Sequence, residues 1–171
     1  MNIARDALDK ADLTMLRLLQ ADGRLSNARI AEKVNLSETP CWRRLKRLEG
    51  EGYIQGYQAL LDRRKLGFDV LAFVLVSLGK HRGDEPVAFE EQVRRNPQIL
   101  ACHNITGESD YLLQVVASDL DGYGRFVSTV LRQLPGVTAI RSLLSLREIK
   151  QSMQLPIAEG KPTSRASGSR R

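Results

Sequence analysis

Two hydrophobic rhythms divide this chain, and they change near residue 53. Before that point apolar residues recur at helical spacing. Leu13, Leu16 and Leu19 share one face, Asp9 stands where it can cap the helix, and Asp22-Gly23 stops it. Ser26 or Asn27 can cap a second, short helix carrying Ile30, Ala31 and Val34. Asn35-Leu36-Ser37 then reads as a tight turn. Ser37 caps a third helix that tolerates Pro40 in its first turn and runs to about Glu49, ending near Gly50 and Gly52. Tyr53 to Leu61 reads as extended, with Gly56 as a candidate hairpin turn, and the charged stretch 62–68 as a linker.

From Asp69 the pattern turns to strands alternating with helices. Val70–Leu78, Ile99–Thr106, Tyr111–Ala117 and Val137–Leu146 read as strands. Pro86–Arg95 reads as a helix with Phe89 and Val93 inward. A second helix, capped by Asp119, carries Tyr123, Phe126, Val127, Val130, Leu131 and Leu134 and is stopped by Pro135-Gly136. The order βαββαβ predicts a ferredoxin-like sandwich, so the fold class is α+β. Two helices cover only one face of such a sheet. Yet Val74, Leu75 and Val76 are apolar on consecutive positions, as are Leu143 and Leu144. The uncovered face is therefore apolar, and a second copy of the chain is the economical cover for it, giving a two-fold homodimer.

Charge adds a direction to this organisation. The net charge of +6 separates into +4 over residues 1–65, −1 over 66–150 and +3 over 151–171. A basic helical front suits a polyanion. No apolar run reaches membrane length and the mixed-charge N-terminus is unlike a secretory leader, so a cytoplasmic location is expected. Cys41 and Cys102 lie too far apart in sequence to suggest a zinc pair, and His81 and His103 lack metal-ligand spacing. No metal, cofactor or catalytic constellation is expected.

Asn27 to Lys46 has the shape of a helix-turn-helix. Its second helix must carry one apolar face and one basic, polar face to lie in the DNA major groove. At about 100° per residue, Cys41, Leu45 and Leu48 fall together, and Thr39, Arg43, Lys46 and Arg47 fall opposite. Trp42 and Arg44 lie on the flanks, with Trp42 expected to pack. Arg43 can reach a guanine edge with two hydrogen bonds. Thr39 can touch a base or a phosphate, and Ser37 with the free amides of the helix start suits a phosphate oxygen. Arg44, Lys46 and Arg47 suit phosphates, which position a helix without reading sequence.

The stretch LTMLRLLQADGRLSNARIAEKVNLSETPCWRRLKRLEGEGYIQGYQALLD, with its S-x-T-P-C phrase, resembles the N-terminal domain of the leucine-responsive regulatory protein/AsnC family, the feast/famine regulators. ITGESDYLLQV resembles that family's G-x-x-D-Y-L segment, LPGV its helix-to-strand junction, and KQSMQLP its last strand. The likeness spans about residues 6–157. It implies a winged helix-turn-helix over residues 1–61 and a ligand-sensing and dimerising sandwich over 69–157; the tail over 158–171, basic and low in apolar residues, is expected to be disordered on composition alone. The likeness further implies a non-enzymatic, nucleoid-associated regulator that binds double-stranded DNA and an amino-acid effector and assembles as dimers and octamers. Carried over residue by residue, the sensing site would comprise Thr106, Gly107, Glu108, Asp110 and Tyr111, the junction Leu134, Pro135, Gly136 and Val137, and Arg141 and Ser142. Gly107 would leave backbone amides open to a carboxylate, and Asp110 could accept from an α-ammonium. An effector-independent architectural DNA-binding protein, and an enzyme or stand-alone amino-acid-binding module built on the sandwich, are the competing readings.

Overall fold

The computed structural model describes residues 8–79 and 85–158. Contacts divide the chain into two compact units. The first holds the described residues up to Leu60 together with those from Gln151 onward, and the second is Leu61–Lys150.

The first unit is built on three helices, α1 (Lys10–Ala21), α2 (Asn27–Lys33) and α3 (Glu38–Gly50). A reciprocal capping box opens α1. The Asp9 carboxylate accepts from the Asp12 backbone N–H at 2.8 Å, and the Asp12 carboxylate accepts from the Asp9 N–H at 3.1 Å. Ser26 caps α2 by accepting from the Arg29 N–H. The α2–α3 turn is a Schellman closure: Leu36 N–H donates to the Ala31 carbonyl at 3.0 Å and Asn35 N–H to that of Glu32. That geometry puts Asn35 at φ +54°, a left-handed conformation that asparagine tolerates better than most residues. Met15, Leu19, Ile30, Ala31, Cys41 and Leu48 form the core of the unit.

Backbone bonding from Asp12, together with the Arg44 guanidinium, holds the Asp9 carboxyl below its ordinary value against a smaller opposing effect of burial. A lowered folded pKa means stability that is present above the unfolded value of about 3.9 and lost as pH falls through the lower folded one. Asp9→Asn keeps a good capping side chain but removes the titration. Its thermal unfolding midpoint should therefore decline less steeply than wild type below about pH 4. Identical acid limbs in the two proteins would show that Asp9 contributes nothing there.

The second unit is a four-stranded antiparallel sheet in the order β2-β3-β1-β4, with β1 (Val70–Leu78), β2 (Ile99–Asn104), β3 (Tyr111–Ala117) and β4 (Val137–Leu144). Helices α4 (Glu85–Arg95) and α5 (Leu120–Thr129) supply its other layer. Strand alternation sorts the side chains. Ala72, Val74, Val76, Leu113 and Val115 are fully buried with Phe89, Val93, Tyr123 and Phe126. On the opposite face, Phe73 and Leu143 are exposed and Leu75 and Leu112 only half-buried.

Several boundaries differ from expectation. Residues 53–61 form no ladder and no hairpin at Gly56; instead the Tyr57 hydroxyl donates to Glu49 at 3.1 Å. The 62–68 segment is an ordered turn, with the Arg63 guanidinium donating to the Phe68 and Asp69 carbonyls. The strand expected to reach Thr106 ends at Asn104 and carries an irregularity after Ile99. The helix expected to run to Leu134 breaks at Val130 into a short 3-10 turn, Leu131–Gln133. Ser128 and Thr129 both donate to the Arg125 carbonyl there, competing with the helical ladder. Strand β4 ends at Leu144 rather than Leu146, and residues 150–156 form no further strand. Residues 151–158 make their contacts within the helical unit. The Gln20 amide donates to the Leu155 carbonyl and accepts from the Leu155 N–H, both at 2.9 Å. His81 and nearly all of the expected tail lie outside the described residues.

Candidate nucleic-acid interface and effector rim

Helix α3 buries Cys41 and Leu48 and half-buries Leu45, as its apolar periodicity requires. Burial pushes the Cys41 thiol up, so it is an inert core group. The opposite face exposes Thr39, Trp42, Arg43 and Lys46. Trp42, expected to pack, is instead 52% exposed, because it projects about 100° from Cys41 and so misses the core. Ser37 caps α3 by position, makes no side-chain capping bond and is exposed. Asn27 ties α2 to the start of α3 by donating its side-chain amide to the Glu38 carbonyl at 2.9 Å.

The basic residues of α3 fall into three situations. Arg43 makes no hydrogen bond or ion pair among the described residues. Lys46 pairs with Glu49 at 2.7 Å, an exposed contact. Arg44 and Arg47 both turn to α1. Arg44 donates to Asp9 at 2.6 Å and to Asp12 at 2.9 Å, and Arg47 donates to Asp12, whose side chain is only 1% exposed. Those bonds, the one to Asp12 foremost, push both guanidinium pKa values further up. Arg47 thus belongs to the flank of α3 rather than to its outer face. Asp12 was missed in the sequence, although its place as the third residue of a capped helix was visible.

The predicted effector residues do not form one constellation. The 105–110 turn and the 134–137 junction do meet, at the C-terminal end of β1. The Asp110 carboxylate accepts from the Leu78 N–H at 2.7 Å, and the Gly79 N–H donates to the Gly136 carbonyl at 2.9 Å. Gly107 (φ +122°) and Gly136 (φ +74°) both hold left-handed conformations that side chains resist. Thr106, Gly107 and Glu108 are exposed, Pro135 and Val137 half-buried, and Leu134 buried. Tyr111 leaves this rim: it stacks obliquely on Phe89 at 4.6 Å and donates to Glu90, and burial followed by Glu90 raises its phenol. Arg141 and Ser142 point to opposite faces of β4, and Ser142 accepts from the Tyr123 hydroxyl on the helix-covered side. Ser77, Leu78, Gly79 and Thr138 complete the rim. Only the pairing of β1 with both β3 and β4 brings them there.

The fold and the outer face of α3 define a DNA-binding transcription regulator, a winged helix-turn-helix joined to a ligand-binding αβ sandwich. Residues 8–55 match the winged helix-turn-helix DNA-binding family, and residues 71–155 match the Lrp/AsnC ligand binding domain. The chain is 46% identical over 142 residues to the Bkd operon transcriptional regulator of Pseudomonas aeruginosa, covering 83% of this chain and 93% of that one. It is 39% identical to the leucine-responsive regulatory protein of Escherichia coli, covering 88% and 92%. A solved transcriptional regulator of Neisseria meningitidis in complex with L-methionine superposes with a TM-score of 0.83 at 41% identity, covering 87% and 96%. The chain belongs to the Lrp/AsnC family of transcription regulators.

Proposed function

We propose that this regulator reads DNA with Arg43 and Thr39, and that an amino acid bound at the rim beside β1 changes its assembly or its DNA affinity. The observation that carries the reading is Arg43, a guanidinium in mid-helix on the outer face with no partner among the described residues. Ser37 and the first amides of α3 suit a phosphate, and Lys46 can leave its exposed pair for another. In the rim, the Gly107 backbone offers amides to a carboxylate. Asp110 has one oxygen bonded to Leu78 and keeps the other for an α-ammonium. Thr106, Glu108, Leu134, Pro135, Gly136 and Val137 surround them. Arg141 would serve from the open sheet face, while Tyr111 and Ser142 support from the helix side. The methionine complex of the Neisseria regulator supports an amino acid as effector.

The protein acts in the cytoplasm at the nucleoid and catalyses no reaction, a reading that its DNA-binding family match supports. Genome-wide binding maps with and without amino-acid supplementation, paired with thermal-shift screens, test the reading. Sites whose occupancy follows one stabilising amino acid support it. Binding indifferent to all of them would favour an effector-free architectural role, and no binding even at low salt would remove the DNA-reading role.

The open sheet face pairs two copies, and dimers assemble further to octamers. Phe73 and Leu143 are 37% and 50% exposed on adjacent strands, an apolar surface that a second sheet covers economically. Leu143→Asp places a charge at that seam and should convert the dimer to monomer in light-scattering measurements at micromolar concentration. An unchanged mass would assign the seam elsewhere.

A further inference from the structure

Asp12 and Asp9 make a closed charge cluster with the DNA-reading helix. The Asp12 carboxylate is buried and uses both oxygens. Oδ1 accepts from Arg44 Nη1 at 2.9 Å; Oδ2 accepts from Arg47 Nη2 and from the Asp9 backbone N–H. Asp9 Oδ2 also accepts from Arg44 Nη1. Two carboxylates thus face two guanidinium groups, and the cluster is neutral. It lies on the flank of α3, between the buried side of Cys41 and Leu48 and the outer side of Thr39 and Arg43.

We propose that Asp12 is a positioning residue for DNA reading, which sets the rotation of α3 and, with Asp9, withholds Arg44 and Arg47 from DNA phosphates. The proposal rests on the reading that α3 enters the major groove. Its physical basis is the contrast between the two kinds of pair on α3. Lys46 and Glu49 are both partly in water, so that pair opens at little cost and Lys46 can turn to a phosphate. A guanidinium that left Asp12 would take one charged partner from a buried carboxylate, which is unfavourable. Of the four basic side chains on α3, two are therefore removed from the sequence-independent attraction that dominates non-specific binding. What remains weighs Arg43, which carries sequence information, more heavily against contacts that do not.

The test is the salt dependence of DNA binding by the full-length chain. Two probes are used: a duplex selected by the wild type from a random-sequence pool, and the unselected pool. Each phosphate contact contributes about −0.9 to the slope of log K against log salt. Lys46→Gln should make the slope shallower by about 0.9, whereas Arg47→Gln should leave it unchanged. Asp12→Asn should make it steeper, by up to about 0.9 for each arginine released, and should raise affinity for the unselected pool several-fold; Asp9→Asn, which leaves Arg44 bonded to Asp12, should steepen it by less. Specificity, as the ratio of the two affinities, falls accordingly. A merely structural clamp would weaken both probes without steepening the slope, and that result overturns the proposal. So does a slope made shallower by Arg47→Gln. Circular dichroism reports whether Asp12→Asn folds; if it does not, Asp9→Asn and Arg47→Gln decide. Failure of the wild type to select any duplex would instead sink the DNA-reading assignment, and the proposal with it.

Discussion

Arg43→Ala is expected to weaken binding to a selected duplex by roughly 10- to 100-fold while leaving the fold intact. One bidentate contact to a guanine edge discriminates by about 1–3 kcal/mol, and Arg43 is the α3 guanidinium that no carboxylate holds among the described residues. Because its side chain bonds to no other described residue, truncation removes no internal contact of that kind. Gel-shift titration against the selected and unselected DNA, alongside a thermal melt, measures both halves of the claim. The selected duplex should lose far more than the unselected pool. An equal loss on both would make Arg43 a phosphate contact, and no loss would move base reading to another side chain on the exposed face.

The largest effect on stability is expected from Phe89→Ala. Phe89 is fully buried on α4 and its ring lies 4.6 Å from that of Tyr111. Removing a buried phenyl ring costs about 3–5 kcal/mol, because the surroundings only partly collapse into the space. For a unit of this size that lowers the melting temperature by more than about 10 °C. Calorimetry should show the sandwich transition shifted. A penalty under about 1 kcal/mol would mean that α4 repacks against the sheet. Tyr111 loses its ring neighbour in this variant but keeps its bond to Glu90.

Local features were legible in the sequence because short-range forces set them. Asp9, Ser26 and Asp119 cap their helices as expected, since each places an oxygen within reach of the free N–H three residues on. The apolar side of α3 follows from period alone. The break at Val130 was less visible: it depends on hydroxyl groups competing for one carbonyl, which periodicity does not register. The hairpin turn that Gly56 offered in residues 53–61 did not form, for an extended run does not by itself supply a strand partner.

The candidate site shows the same division more sharply. Sequence alone determined that α3 has a basic outward side, which rests on helical spacing, and its resemblance to a known family implied the two modules. It could not decide which basic residues are free. Arg43, Arg44, Lys46 and Arg47 look alike as a string, and only the packing of α1 beside α3 spends two of them on a buried carboxylate 32 and 35 residues away. Likewise Arg141 and Ser142 are neighbours in sequence but lie on opposite faces of a strand. The 105–110 turn and the 134–137 junction, far apart in sequence, meet because β1 pairs with both β3 and β4. Spacing specifies what a side chain is able to do. Which of those capacities remains available is set by long-range contacts, because a charge or a hydrogen-bonding group satisfied inside the fold is no longer offered outside it.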